Sequence, residues 1–169
     1  MSSNDGEPGE PTVRVAGFDE LSPRTAYGIW RLRVDVFVVE QECAYAELDG
    51  RDTDPDTRHV WLENADGAPV AYLRILTETD GGRRIGRVCT AAAVRGRGLA
   101  GALLERALQE VGPDRCLLSA QAHLAEWYSR WGFEVTGPEF LDDDIPHLPM
   151  ALTTPAEGLS RPGRPTASG

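Results

Sequence analysis

One junction limits what this chain can fold into more than any other part of it. Val88-Cys89-Thr90 runs through Ala91-Ala92-Ala93-Val94 into Arg95-Gly96-Arg97-Gly98-Leu99-Ala100. The first part reads as the end of a strand. Beyond it, Ala100, Leu103, Leu104, Ala107, Leu108 and Val111 recur on one helical face, and Gly112-Pro113 stops the helix. A strand is therefore joined to a long amphipathic helix by a short glycine loop. The first N–H groups of a helix have no partner inside it, and the positive end of its dipole lies there, so the junction is suited to an anion. Gly96 and Gly98 let the backbone approach a ligand, and Arg95 and Arg97 carry charge that suits phosphate. On these residues alone two readings stay open: a phosphate-bearing ligand, or glycines that serve only packing. A Walker loop is excluded because all seventeen basic residues are arginine. The spacing is not GxGxxG, and the strand-and-acid context of a dinucleotide site is absent.

Around this junction the pattern predicts a mixed α/β (α+β) domain. A short strand is expected over 13–18. Ser22 offers a cap and Pro23 suits the first turn of a helix that places Ala26, Ile29, Leu32, Val36 and Phe37 near one face. Residues 43–57 are acidic and rich in turn signals, with Asp49-Gly50 and Asp54-Pro55. Strands over 59–63 and 70–76 are joined by Asp66-Gly67, and a strand over 84–90 follows Gly81-Gly82. After the long helix come a strand over 115–120, a helix over 123–131, and strands over 133–136 and 147–152. The order strand-helix-strand in the middle implies one parallel pair, joined by a crossover, inside a mostly antiparallel sheet.

With 169 residues the chain fits one domain, folded over 12–153, between Pro/Gly/Ser-rich tails at 1–11 and 154–169 expected to be disordered. A formal net charge of -10 disfavours nucleic acid and anionic membrane as partners. It is compatible with a cationic acceptor, but plain solubility is the reading put ahead. No stretch of eighteen apolar residues exists, and no secretory signal opens the chain, so the expected location is the cytoplasm. Cys43, Cys89 and Cys116 are an odd number without a CxxC pair, as expected for reduced thiols. No His/Cys/Asp cluster has metal-ligand spacing, so no metal is expected.

The junction resembles a known signature. Arg95-Gly96-Arg97-Gly98-Leu99-Ala100 is similar to the R/Q-x-x-G-x-G/A motif of the GNAT family of N-acetyltransferases. Ala125-Glu126-Trp127-Tyr128-Ser129-Arg130-Trp131-Gly132-Phe133 is similar to the family's A-x-x-Y-x-x-x-G-F segment. Val36-Phe37-Val38-Val39-Glu40-Gln41, Ile85-Gly86-Arg87-Val88, Ala120-Gln121-Ala122-His123-Leu124 and Ile145-Pro146-His147 resemble the ElaA-type branch. The likeness covers 31–150. It implies a twisted mixed sheet with helices on both faces, splayed between the strand ending near Thr90 and the strand over 115–120. It also implies acetyl-coenzyme A as co-substrate. Backbone groups of Val88, Cys89 and Thr90 would then pair with the pantetheine arm, and amides of Arg95, Gly96, Arg97, Gly98, Leu99 and Ala100 would hold the pyrophosphate. An N–H near Cys89 would face the oxyanion. Gln121 stands where many members place an asparagine toward the cofactor. Tyr128 would protonate the departing thiolate.

The other candidate catalytic residues are His147, His59 and Glu40. Imidazole titrates near neutrality, which makes each of the two histidines a candidate base, with a structural role weighed equally. Glu40 ends an apolar helix and is singled out from the acidic run of Glu42, Glu47 and Asp49, which otherwise reads as a solvated loop. Cys89 reads as a small buried strand residue, and Arg74 and Arg87, within strands, as partners of internal acids. The functional expectation is an acyltransferase acting on the amine of a small molecule or peptide. The alternative is a non-catalytic acyl-coenzyme A sensor. Association with a second copy of the chain, as a homodimer, is left open.

Overall fold

Two-residue alternation along the central strands gives the sheet two apolar faces, and a helix closes over each. In the computed structural model, which describes residues 12–152, the strands are β1 (Arg14–Ala16), β2 (Arg58–Glu63), β3 (Pro69–Thr77), β4 (Arg83–Thr90), β5 (Cys116–Gln121), β6 (Glu134–Val135), β7 (Phe140–Asp142) and β8 (Ile145–Leu152). The two tails expected to be disordered lie outside the described residues. The sheet order is β1-β2-β3-β4-β5-β8-β6, with β7 also on β8. Every pair is antiparallel except β4–β5. On one face Leu103, Leu104, Ala107, Leu108 and Val111 of α2 (Leu99–Val111) pack against Val60, Leu62, Leu73, Ile75 and Ile85. On the other, Ile29 and Leu32 of α1 (Pro23–Arg33), with Val36 and Phe37 just beyond it, cover Trp61, Tyr72 and Cys89. The mixed sheet with helices on both faces is thus the architecture expected from the sequence.

Local chemistry sets the helix ends. The Ser22 hydroxyl accepts the Thr25 N–H at 3.1 Å, and Pro23 opens α1. Past Arg33 the helix widens into a π-helix, Val34–Glu40, closed by bonds from Gln41 N–H to the Val36 carbonyl and from Cys43 N–H to the Phe37 carbonyl, each 3.0 Å. The helix expected over 123–131 is only a 3₁₀ turn and the five-residue α3 (Ala125–Ser129). Strand β7 was not visible in the sequence. Its turn to β8 uses Asp143 and Asp144 at φ 47° and 62°, where Asn and Gly are the usual signal.

Two departures from regular pairing shape the middle of the sheet. First, β4 and β5 pair only at Arg83↔Cys116 and Arg84↔Leu117, then splay apart. Second, β4 bulges opposite Leu73, where Arg87 sits at φ 55°.

The acidic segment 43–57 is not a solvated loop. Arg33, fully buried, donates to Glu47 Oε1 at 2.7 Å, the Glu47 carbonyl at 3.0 Å and Asp52 Oδ1 at 2.7 Å. Arg74 holds Asp49 through two bonds, at 2.5 and 2.9 Å, and reaches Asp52 at 3.1 Å. Arg87 joins Glu47 Oε1 at 3.0 Å. The internal pairing expected of Arg74 and Arg87 is therefore present, and its acids come from this segment. Removing one member leaves buried opposite charges short of a partner. Arg33→Met keeps volume but leaves Glu47 with Arg87 alone and Asp52 with Arg74 alone. A loss of about 3–5 kcal/mol is expected from urea unfolding; a loss under about 1 kcal/mol would show that the network bears little on stability.

Candidate active site

Strand β4 has one bonded edge and one open edge. The Ala91 N–H donates to the Val70 carbonyl at 2.8 Å. The register continues with Thr90↔Ala71 and Cys89↔Tyr72. By alternation, the backbone groups of Cys89 face β3, whereas those of Val88 and Thr90 face the splay. This corrects the expectation for Cys89, whose backbone groups are engaged in the ladder. Its thiol is buried too, which pushes its pKa up to about 12 and leaves it a packing residue. Val88 and Thr90 present the groups that an added extended chain would pair with.

After Thr90 a 3₁₀ turn (Ala92–Val94) leads to Gly96 and Gly98, at φ 78° and 74°. A Cβ built on either glycine meets nothing within 4 Å. Packing therefore does not demand glycine here; left-handed backbone does, and the space above the loop is open. No side chain caps α2, so the N–H groups at its start face that space. Arg95 is used differently from the expectation that it meets phosphate. Its Nε donates to the Thr90 carbonyl at 3.0 Å, and its Nη1 and Nη2 clasp Glu40 at 2.5 and 2.7 Å. The Arg95 bond holds the Glu40 carboxyl below its ordinary pKa. Glu40 therefore ties the π-helix to the glycine loop and does not line the cleft.

The splay opens a cleft of about 270 Å³. Val88, Gln121, Tyr128 and His147, all singled out in the sequence, line it. Tyr128 is buried between Trp127 and Phe133, whose rings lie edge-on at 4.9 and 6.1 Å. Burial pushes its pKa up to about 12, so the phenol keeps its proton. His147 Nδ1 lies 2.7 Å from the Ile145 carbonyl and its ring stacks on Phe140. A carbonyl only accepts, so Nδ1 carries the proton and Nε2 offers a lone pair. Gln121 Nε2 donates to Gln41 Oε1 at 3.2 Å, joining β5 to the end of the π-helix.

The cleft also recruits Tyr45, Arg84, Ser119 and Asp142, none of which the sequence analysis singled out. For Arg84 and Ser119 the signal was alternation: each lies on the strand face opposite Ile85 or Leu118, which point into the core. His59 is not part of the cleft. It is fully buried, with Nδ1 2.7 Å from the Tyr72 hydroxyl and Nε2 3.0 Å from the Asp52 carbonyl, a structural histidine.

Residues 28–154 match the family model described as "Acetyltransferase (GNAT) domain". A UPF0039 protein of Mycobacterium tuberculosis is 51% identical over 134 residues, 78% of this chain and 86% of that protein. The Escherichia coli protein ElaA is 39% identical over 138 residues, 78% of this chain and 90% of its own. Its crystal structure superposes with a TM-score of 0.79, at 34% identity over the aligned structures, covering 84% of this chain and 99% of that one. An acyl-CoA N-acyltransferase from Pseudomonas aeruginosa superposes with a TM-score of 0.80 at 40% identity, with the same coverage of 84% and 99%.

The geometry of His59 sets a pH dependence. Burial lowers its pKa from the ordinary histidine value, and the Asp52 carbonyl offsets this only in part. The unfolded chain then binds the proton more readily than the folded one. Stability is full above the unfolded pKa of about 6.5 and falls as pH drops below it, toward the folded pKa. Urea unfolding at a series of pH values from about 7.5 to 5.5 is expected to show this decline, and His59→Gln to flatten it. An equal slope in both proteins would exclude His59 as its source.

Proposed function

The chain belongs to the GNAT acetyltransferase family, and from that premise we propose that it transfers an acetyl group from acetyl-coenzyme A to an amine of a small molecule or peptide. The observation that carries this reading is the cleft between β4 and β5. It brings the open edge of β4 at Val88 together with Tyr128 and His147, and β4 runs on through the glycine loop to the uncapped start of α2. The acetyltransferase domain would span 12–153.

The pantetheine arm would lie along the open edge of β4, pairing with the Val88 carbonyl and the Thr90 N–H, and the pyrophosphate would rest on the amides from Gly96 to Ala100. This aligns the thioester carbon beside Val88. The acceptor ammonium gives a proton to His147 Nε2, and the freed nitrogen attacks the thioester carbon. Charge on the tetrahedral oxygen is met by the Val88 N–H, which faces the cleft. Collapse breaks the C–S bond, and the Tyr128 hydroxyl protonates the sulfur. The products are the amide and free coenzyme A; the nitrogen sheds its second proton to the phenolate, by way of solvent, and the imidazolium releases its own to solvent. A thioester is already activated, so alignment and proton transfer suffice. A screen of amines with acetyl-coenzyme A, detecting free thiol, tests the reading. Failure of every amine in the panel to release thiol would point to an acyl-coenzyme A sensor.

Two variants separate binding from chemistry. Gly98→Glu adds negative charge and a side chain at a left-handed position of the loop. Acetyl-coenzyme A affinity measured by calorimetry is expected to fall at least about tenfold, or about 1.4 kcal/mol. Unchanged affinity in folded protein would remove the loop from the cofactor site. Tyr128→Phe keeps the ring against Trp127 and Phe133 and removes the proton donor. Turnover is expected to fall roughly 10²–10⁴-fold with cofactor affinity little changed. Normal turnover, with chemistry shown to be rate-limiting, would assign the proton to water or substrate.

A further inference from the structure

We infer that the acceptor amine carries a carboxylate, bound by Arg84 and Arg87 at the closed end of the cleft. This rests on the acyltransferase reading of the same cleft and names its second substrate. The cleft closes where β4 meets β5 at Arg83 and Arg84. Three guanidinium groups line it, from Arg74, Arg84 and Arg87, against one carboxylate, Asp142.

Each arginine has hydrogen-bonding capacity left after its internal contacts. Arg84 gives only Nε, to Glu78 Oε1 at 2.8 Å. Arg87 gives Nε and Nη2 to Glu47, with Asp49 3.6 Å from Nη2, and its ring partner Tyr45 lies 5.3 Å beneath the guanidinium. Arg74, with its side chain only 4% exposed, spends Nη1 and Nη2 on Asp49 and Asp52, and its buried Nε has no partner. A planar guanidinium with free N–H groups matches a carboxylate in geometry as well as charge. Asp142, exposed, lines the same cleft from β7, where it would meet the ammonium end of the same molecule. The acceptor therefore has both charges, and its carboxylate lies at the end of the cleft away from the cofactor phosphates.

The test uses the full chain, acetyl-coenzyme A, and amines in matched sets. These are amino acids, the corresponding amino acid amides, the decarboxylated amines, phosphoethanolamine as a phosphate-bearing amine, and spermidine as a cation without an acid. The carboxylate form of the best acceptor is expected to exceed its amide at least about tenfold in kcat/KM, the scale of one charge-assisted hydrogen bond. Arg84→Gln is expected to raise KM for the acid about tenfold, leaving KM for acetyl-coenzyme A and kinetics with the amide unchanged. Arg84→Lys would recover part of the loss. A structural role for Arg84 would instead lower acid and amide alike. Equal rates for acid and amide, or a preference for spermidine or phosphoethanolamine, would overturn the proposal. If no amine releases thiol, the acyltransferase reading itself fails. Calorimetry with amino acids in the presence of coenzyme A then decides the carboxylate site separately, and absence of binding there would overturn it.

Discussion

Three arginines and three acids, largely withdrawn from water, hold the working half of this molecule together. Glu47 Oε1 is shared by Arg33 and Arg87, and Asp52 Oδ1 by Arg33 and Arg74. Each acid thus bridges two cations that come from different elements. The contacts join α1, β3 and β4 to the segment 43–57, which forms one wall of the cleft. Buried ion pairs recover little net stability over apolar packing, because desolvation offsets attraction. What they impose is one geometry, since any slip leaves a charge unpaired. The left-handed Arg87 follows from this: a strained backbone position persists where its side chain is held, here on Glu47 with Tyr45 beneath.

The bulge and the splay together turn a structural strand into a reactive surface. A regular β4 would have both edges occupied along its length. Instead its pairing with β5 stops after Arg84, and its open edge carries the groups of Val88 and Thr90. The cleft is framed by regular elements, with β5 fully paired to β8 from Cys116 to Gln121. Gln41–Gln121 and Glu40–Arg95 tie the end of the π-helix to both sides of the splay. A site so framed needs little rearrangement to align two substrates.

Legibility differed from residue to residue for physical reasons. Tyr128, His147 and Val88 were readable because each sits in a short segment whose neighbours carry the same signal, and the structure brings them to one cleft. As candidate bases His59 and His147 weighed alike in the sequence, since both occupy strands beside apolar residues, although only His147 sits in a family-like segment. Only tertiary packing put one against Tyr72 and Asp52, without exposure, and the other on the cleft wall. The acidic run misled because charge density ordinarily signals solvent. Here its acids meet arginines that lie far along the chain and whose partners no local pattern names.

By itself the sequence determined the elements that depend on near neighbours. The single apolar stripe of α2, the alternation of β2 to β4, the Ser22-Pro23 helix start and the glycine junction all rest on contacts within a few residues. The crossover between β4 and β5 follows from their order and the helix between them. The tertiary structure alone decided which charges pair, which strand edge stays open and which polar groups meet at the cleft. Glu40 and Arg95 are 55 residues apart, and Gln41 and Gln121 are 80 apart. Such pairings depend on where the packed sheet and helices place each side chain; for the buried ones, Arg33 with Glu47 and Asp52, burial then makes them binding, because an unpaired charge away from water costs more than the contact adds.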